Sequence, residues 1–412
     1  MNRRWWSAID DRAGGTRLRD IITGALLSAL AVALILAFTE LKTEGTALYN
    51  DPGWDRHLYR LMAEQGLFEF RLAPYCWRVL VPALAGWSPF SLQASFFSLT
   101  LAAVWATGAV LYVLARGRGH SPAAAAIGLF LFFSLGWAAK FILADFWIPD
   151  GVAFLLVSLA FWAALEKRLY LFGAVILAGA VTKESVLLAA PLYFCLNVRR
   201  PFDWRFLVRC AAVLVPAALT LVALRLGVSQ QNGDAAYFAT MPEDIRRFPE
   251  LYGPYNYLTL LQDIGREQRV REWGWDAFLS YTTSPLGLAL PLLAALGLRR
   301  AWRLALGMLP FVALTYVQLL FATDTQRLLV LVAPGLVVLA LEGVAELRER
   351  LAVPSIALLP GAVAVFLLVL TDRQDYDIAF APQAIVIALT ATLVVAVRVA
   401  RLRAGAGSEP AL

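Results

Sequence analysis

Ionisable side chains stand at the ends of apolar blocks at three separate places in this chain. Charge at the depth of a lipid bilayer is costly, so such groups usually pair, line a wet cavity or take part in chemistry. A carboxylate in such a set can take a proton from a reacting hydroxyl, and basic side chains can hold an anion such as phosphate. The seven residues are Lys140, Asp145, Asp150, Lys183, Glu184, Asp324 and Arg327.

The composition requires lipid as the solvent for most of the chain. Of its 412 residues, 60% are apolar and 16% are charged, and the mean hydropathy is +0.66. A water-soluble chain of this length has too little interior for so many apolar side chains. The formal net charge of +6 is explained by basic residues in cytoplasmic loops, so no nucleic-acid partner is expected. The three cysteines have no metal-ligand spacing and predict no disulfide framework.

Twelve apolar blocks predict an all-α, polytopic transmembrane helical bundle that forms a single integral membrane domain over 1–412. Most of these blocks approach the roughly 20 residues needed to cross a bilayer. Arg-rich short loops alternate with loops of mixed or acidic charge, which places both termini in the cytoplasm of a multi-pass protein. The Arg-rich, Lys-poor composition indicates a bacterial plasma (inner) membrane. The blocks lie at 21–39, 93–115, 122–140, 150–165, 169–182, 185–197, 206–226, 279–297, 303–321, 328–345, 353–371 and 382–399.

Two neighbouring blocks, 169–182 and 185–197, are shorter than a full bilayer crossing. They predict a hairpin whose tip, Lys183 and Glu184, stops below the outer surface. Such a tip is tolerated only inside protein or beside a water-filled cavity. A simple polar turn between the two arms is the alternative interpretation.

Two long segments, 40–92 and 227–277, are expected on the extracytoplasmic side. In the first, Asp51 can cap an amphipathic interfacial helix that the chain enters at Pro52. The second carries Tyr and Trp side chains, which are typical of the headgroup level of a membrane and could also bind a sugar or a lipid. In the first-segment helix, Trp54, Leu58, Leu61 and Met62 form the apolar face, and Asp55, Arg56, Tyr59 and Arg60 occupy the other faces.

Four motifs follow one another on this expected outer side. WDRHLYRLMA at 54–63 precedes RVLVP at 78–82, and TKESVLL at 182–188 and DTQRLLVLVAP at 324–334 come later. Together they resemble the GT-C superfamily of polytopic glycosyltransferases, in which the first loop has an Asp-x-x-x-Tyr-x-x-x-Ala pattern. The chain departs from that pattern at one point: it has Asp55 followed by Arg56 where an Asp-Asp or Asp-Glu pair is usual.

The resemblance implies an inverting transfer of a sugar, hexose or pentose, from a polyprenyl-phosphate donor. The acceptor is a cell-envelope glycan, lipid or protein on the extracytoplasmic side, and membrane lipids surround the enzyme. Asp55 is then the expected general base, and Arg78, Lys183 and Arg327 are expected to bind the donor phosphate. Supporting or sugar-binding roles fall to His57, Tyr59, Asp145, Asp150, Glu184 and Asp324. No cofactor is expected, although Asp55, Asp145 and Asp150 leave a divalent metal site open.

Each of these residues also has a structural interpretation. Asp55 fits a solvated surface acid, and His57 fits an interfacial side chain. Arg78 fits a residue that snorkels to headgroups. Asp150 fits a helix cap, Asp145 a partner of Lys140, and Asp324 and Arg327 a helix-surface ion pair.

Two other functions are also compatible with a polytopic chain of this kind. A transporter or flippase of lipid-linked sugars uses charged tips too, but its site is expected near the midplane. A lipid-linked glycan ligase or polymerase shares the long outer segment, although 227–277 carries Arg and no His.

Overall fold

The computed structural model describes residues 16–50, 54–198, 200, 203–246, 275–318, 325–377 and 379–406. All regular secondary structure in these ranges is helical, as predicted. Within these described ranges, five helices are long and apolar enough to cross a membrane. They cover Leu18–Ala37, Leu92–Gly117, Trp204–Gly227, Gln326–Leu351 and Phe380–Ala400, and shorter apolar helices accompany them.

The helices follow the predicted blocks closely in their positions. Two predicted blocks are divided: in 122–140 the helix ends at Phe133 and a new one begins at Lys140, and 279–297 is interrupted at Gly287, whose φ is 63°. The α-helices are Thr16–Ala37, Ala47–Asn50, Trp54–Gln65, Leu80–Trp87, Leu92–Gly117, Pro122–Phe133, Lys140–Ala144, Asp150–Leu165, Leu169–Thr182, Leu192–Asn197, Trp204–Gly227, Ala235–Ala239, Glu243–Arg246, Trp275–Leu286, Ala289–Leu298, Trp302–Gln318, Thr325–Leu329, Ala333–Leu351, Leu359–Leu368 and Phe380–Ala406. Short 3₁₀ turns cover Tyr75–Trp77, Glu184–Ala189, Val330–Val332 and Ser355–Ala357.

The short hairpin predicted around Lys183 is present. Leu169–Thr182 forms its first arm, and the 3₁₀ turn Glu184–Ala189 with Leu192–Asn197 forms the second. The chain changes from α-helix to extended backbone at Lys183, whose φ and ψ are −163° and 126°. Because of this break, the side chains of Lys183 and Glu184 point toward different neighbours.

The helix Ala333–Leu351 occupies the centre of the bundle. In the apolar stretch within Gln326–Leu351, 94% of residues are buried. It packs closely on Ala289–Leu298, because Gly343 lies against the carbonyl oxygen of Leu293 and Gly297 lies against that of Leu339. Small residues allow such close approach of backbones between membrane helices.

A methyl group at this contact is expected to destabilise the protein. The Cβ of Gly343→Ala would overlap the Leu293 carbonyl oxygen, which belongs to backbone and cannot swing away. We expect a loss of about 1–3 kcal/mol, as is typical of overpacking. Thermal unfolding of the purified protein in detergent measures it. Gly227→Ala is the matched control, since nothing lies within 4 Å of its added Cβ; equal unfolding temperatures for the two variants would contradict the close contact.

The described parts of the two segments predicted as extracytoplasmic pack on each other. Leu58 and Met62 of the helix Trp54–Gln65 are buried against side chains that include Phe238 and Met241. The Asn232 side chain accepts a hydrogen bond from the Ala73 N–H at 2.7 Å and donates to the Ala73 carbonyl at 3.0 Å. Leu58, Leu61 and Met62 of the apolar face of this helix therefore pack on protein.

Some sequence predictions fall outside the described residues. These are the Asp51 cap and Pro52, most of the second outer segment (247–274) and Asp324. The three cysteines, Cys76, Cys195 and Cys210, are free thiols, in agreement with the predicted lack of a disulfide framework.

Candidate functional site

Three ion pairs between distant segments form the candidate site, which we call the ion cluster. Each pair joins a residue predicted as phosphate-binding to a carboxylate. Electrostatic interactions connect the pairs: Asp55 interacts with Arg78, and Lys183 interacts with both Arg78 and Arg327. The pairs are Asp55–Arg327 at 2.9 Å, Lys183–Asp150 at 2.6 Å and Arg78–Glu184 at 2.8 Å.

Asp55 lies in the first turn of the helix Trp54–Gln65, in the segment between two candidate spans. Its Oδ2 accepts a hydrogen bond from Arg327 at 2.9 Å, and its Oδ1 accepts one from the Tyr75 hydroxyl at 2.8 Å. Burial raises the pKa of Asp55, but the charge of Arg327 and these hydrogen bonds outweigh it and lower the pKa to about 2. Asp55 is therefore an ionised carboxylate with both oxygens engaged, and the interpretation as a solvated surface acid is wrong.

Arg78 is held on three of its nitrogens. Its Nε and Nη2 donate to the two carboxylate oxygens of Glu184 at 3.0 and 2.8 Å. Its Nη1 donates to the Tyr59 hydroxyl at 2.8 Å. This planar, two-pronged geometry is the one by which Arg also binds phosphate. Arg78 thus faces the ion cluster, and the prediction that it snorkels to headgroups is wrong.

Lys183 and Asp150 form the deepest pair. Their side chains are 8% and 5% exposed, and the Lys183 Nζ donates to the Asp150 Oδ1 at 2.6 Å. Pro149, without a side-chain cap, precedes the helix Asp150–Leu165. The predicted capping role of Asp150 is therefore wrong, because its carboxylate is the counter-ion of a buried lysine. The hairpin tip is likewise no simple polar turn, since Lys183 and Glu184 bind different partners.

The accessible edge of the ion cluster is acidic. The side chains of Asp55 and Glu184 are 24% and 28% exposed, whereas those of Arg78, Lys183 and Arg327 are 14%, 8% and 10% exposed. The carboxylates therefore cover the cations, and each of these cations is paired, as a low-dielectric environment demands.

Asp145 belongs to a second, neighbouring ion group. Its carboxylate binds Arg56 at 3.0 Å and Lys42 at 3.1 Å, and all three side chains are largely buried. The Phe141 ring lies between the two groups, with Lys42 5.5 Å and Arg327 5.6 Å from its centroid. Arg56, which the sequence placed off the apolar face of its helix, is 1% exposed.

Lys140 is not the partner of Asp145, so that prediction is also wrong. The Lys140 amino group donates to the backbone carbonyls of Val369 and Asp375 at 2.9 and 2.7 Å, and to that of Asp372. Residues five apart on a helix do not share a face, which accounts for the separation of Lys140 and Asp145.

The remaining predicted residues have supporting positions. Tyr59 is buried and its hydroxyl accepts from Arg78, so it orients that guanidinium. His57 packs edge-on against the Tyr49 ring, with 4.9 Å between ring centroids. Sequence reasoning missed Tyr75, the second partner of Asp55. Nothing near Tyr75 in the sequence indicated its hydrogen bond to Asp55, because the two residues are 20 positions apart.

No group of three His, Cys, Asp or Glu residues within the part of the chain that the structure describes could hold a metal ion. The three carboxylates considered for a divalent site are each committed to a different cation: Asp55 to Arg327, Asp150 to Lys183, and Asp145 to Arg56 and Lys42.

Comparison with protein-family models and with curated proteins found no relative of this chain. No protein-family model matches the chain, and no curated protein matches its sequence. The function must therefore be argued from the ion cluster and from the motif resemblance.

Proposed function

We propose that this chain is an inverting glycosyltransferase of the GT-C kind in a bacterial plasma membrane. It moves a hexose or pentose from a polyprenyl-phosphate donor to a cell-envelope acceptor. Its long and short apolar helices form a bundle of about twelve segments with both termini in the cytoplasm and the ion cluster on the extracytoplasmic side. One observation carries the proposal: Asp55 and the three cations Arg78, Lys183 and Arg327 meet in one place from separate segments.

The proposed reaction uses these groups in a single displacement. The acceptor hydroxyl oxygen forms a bond to the anomeric carbon, and the bond from that carbon to the phosphate oxygen breaks. The phosphate leaves with the electron pair, and its growing charge is stabilised by Arg78, Lys183 and Arg327. Asp55 takes the hydroxyl proton as general base, and attack from the opposite side inverts the configuration, as in inverting hydrolysis.

The ion pair of Asp55 with Arg327 suggests how the base is activated. A carboxylate with a pKa near 2 is a weak base, since base strength follows pKa. When the donor phosphate takes Arg327, Asp55 loses its main counter-ion and its pKa rises. The base therefore becomes effective once donor is bound, which limits wasteful reaction of the empty site.

The pH dependence of kcat/KM follows from this ion pair, because kcat/KM reports groups of the free enzyme. The pKa of Asp55 is lowered from 3.8 to about 2, so its charge and the pair are fully present above the ordinary value. The charge of Asp55 and its ion pair with Arg327 are lost only as the pH falls through the lowered pKa. We expect no acid limb in kcat/KM from Asp55 between about pH 5 and 8. A decrease in kcat/KM near pH 6 that is also seen in the Glu184→Gln and Glu64→Gln variants would contradict the Asp55–Arg327 ion pair.

Comparison of envelope glycolipids tests the proposal as a whole. Glycolipids are extracted from cells of the source organism with and without this protein, and from cells complemented with Asp55→Asn. We expect one defined sugar to be missing in the deletion and in the Asp55→Asn cells, and its polyprenyl-phosphate donor to accumulate on the extracytoplasmic side. Accumulation of donor on the cytoplasmic side instead would indicate a flippase, and unchanged glycolipids would refute the enzyme.

A further inference from the structure

A cavity with both polar and apolar groups in its wall lies near the ion cluster, and the proposed chemistry does not use it. Its volume is about 340 Å³, within the range of about 300–1,000 Å³ that small-molecule sites occupy. Hydroxyl, amide and carboxylate groups share the wall with apolar side chains, among them the aromatic ring of Phe380. The polar lining residues include Thr283, Ser284, Gln326, Asp375, Asp377 and Gln383.

The lining suits an uncharged ligand with many hydroxyl groups. Carboxylates accept hydrogen bonds from hydroxyls, while Ser, Thr and Gln side chains can both donate and accept. Lys and Arg are absent from the lining in the described ranges. A phosphate in the cavity would therefore meet Asp375 and Asp377 with no Lys or Arg in the lining, so it belongs instead in the ion cluster. Sugar rings combine hydroxyl edges with apolar faces, and aromatic side chains such as Phe380 pack on those faces.

The cavity wall is held in place before any ligand arrives. Buried Lys140 binds the backbone carbonyls of Val369, Asp372 and Asp375, which fixes the segment that carries Asp377. The Trp137 indole N–H donates to the Asp377 carboxylate at 2.6 Å. On the opposite wall, Gln383 is 1% exposed, and its Oε1 accepts from the Leu288 N–H at 2.6 Å. Lys140, one of the charged residues singled out in the sequence, therefore fixes the segment that forms this wall of the cavity.

The cavity and the ion cluster meet at one short helix. Gln326 lines the cavity, and the next residue, Arg327, binds Asp55; both belong to Thr325–Leu329. A second connection runs through Phe141, whose ring lies 5.6 Å from the Arg327 guanidinium and 5.0 Å from the Tyr376 ring. The helix Thr325–Leu329 thus connects the cavity wall to the residue that binds the proposed base.

We propose that this cavity binds a neutral sugar unit of the acceptor. This inference rests on the proposed function and deepens it, because it identifies the acceptor as a glycan or glycolipid. The donor phosphate occupies the ion cluster, and the acceptor sugar presents its hydroxyl toward Asp55 from the side of Gln326.

Sugar binding tests the inference directly. The full chain is purified into nanodiscs, and saturation-transfer NMR is recorded with methyl glycosides of common hexoses and pentoses. We expect transfer to the ring protons of at least one glycoside. The double variant Asp377→Asn/Thr283→Val keeps the side-chain shapes but removes a charge and a hydroxyl, so its Kd should rise about tenfold or more. Thr392→Val is the matched control, because Thr392 and Thr283 donate alike to a carbonyl four residues earlier in their helices.

The outcomes separate this inference from the proposed function. Asp55→Asn should retain sugar binding while losing transfer, since Asp55 is outside the cavity lining. If transfer occurs but the double variant leaves the acceptor KM unchanged, the cavity inference fails and the enzyme proposal stands. Sugar binding without any transfer activity would support the cavity and refute the enzyme. Binding of inorganic phosphate or Ca²⁺ in place of every glycoside would overturn the cavity inference.

Discussion

Replacement of Asp55 by Asn is expected to lower sugar transfer by about 10²–10⁴-fold, the usual contribution of a general base. The amide has nearly the same shape and still accepts a hydrogen bond from Tyr75, but it cannot take up the acceptor proton. The loss should fall on kcat. Donor binding should be as tight as in the wild type or tighter, since the phosphate no longer competes with a carboxylate for Arg327. Initial rates at varied donor concentration measure both quantities.

Glu64→Gln is the matched control for this substitution. Glu64 lies on the same helix and forms a surface ion pair with Arg60 at 2.8 Å, with its side chain 40% exposed. Exposed pairs contribute little to stability, about 0–1 kcal/mol, so this variant should keep full activity. An Asp55→Asn protein that unfolds at the wild-type temperature and transfers sugar within tenfold of the wild-type rate would sink the assignment of the base.

The helices of this chain are predictable because bilayer length and hydropathy are local properties. A run of apolar residues near the required length becomes a helix whatever surrounds it, so the blocks 150–165 and 169–182 match helices residue for residue. Breaks inside other blocks depend on packing, such as the close approach of Gly136 to the Tyr376 carbonyl. Such contacts join distant parts of the chain and leave no local signal.

The charged residues of the site were predictable, but their partners were not. Charge next to apolar sequence is costly wherever it occurs, which singled out Lys183 and Arg327. Pairing depends on tertiary structure: Arg327 and Asp55 are 272 positions apart. Local rules therefore favoured neighbours such as Lys140 for Asp145, and these neighbours bind elsewhere. Helical periodicity placed Arg56 off the apolar face, but it could not show that this second face is also covered.

Removal of the Asp145 carboxylate is expected to have the largest effect on stability. Asp145→Ala removes a counter-charge from Arg56, which is buried and also donates to the carbonyl oxygens of Leu48 and Tyr49 at 3.1 and 2.8 Å. Breaking a buried pair typically costs about 3–5 kcal/mol, because the remaining charge loses a partner in the interior. Thermal unfolding in detergent measures the loss. Glu346→Gln, which breaks the surface pair with Arg350, is the control and should change stability by less than about 1 kcal/mol.

A double substitution distinguishes charge burial from simple loss of contacts. Arg56→Met/Asp145→Leu removes both charges but keeps apolar volume, so it should be more stable than Asp145→Ala alone. A double variant that is as unstable as the sum of its single substitutions would contradict this interpretation.

The Arg56–Asp145 pair also affects the site, because Arg56 directly follows Asp55 and consecutive helical residues face different directions. Arg56 fixes the helix against Asp145, and that attachment holds Asp55 facing Arg327.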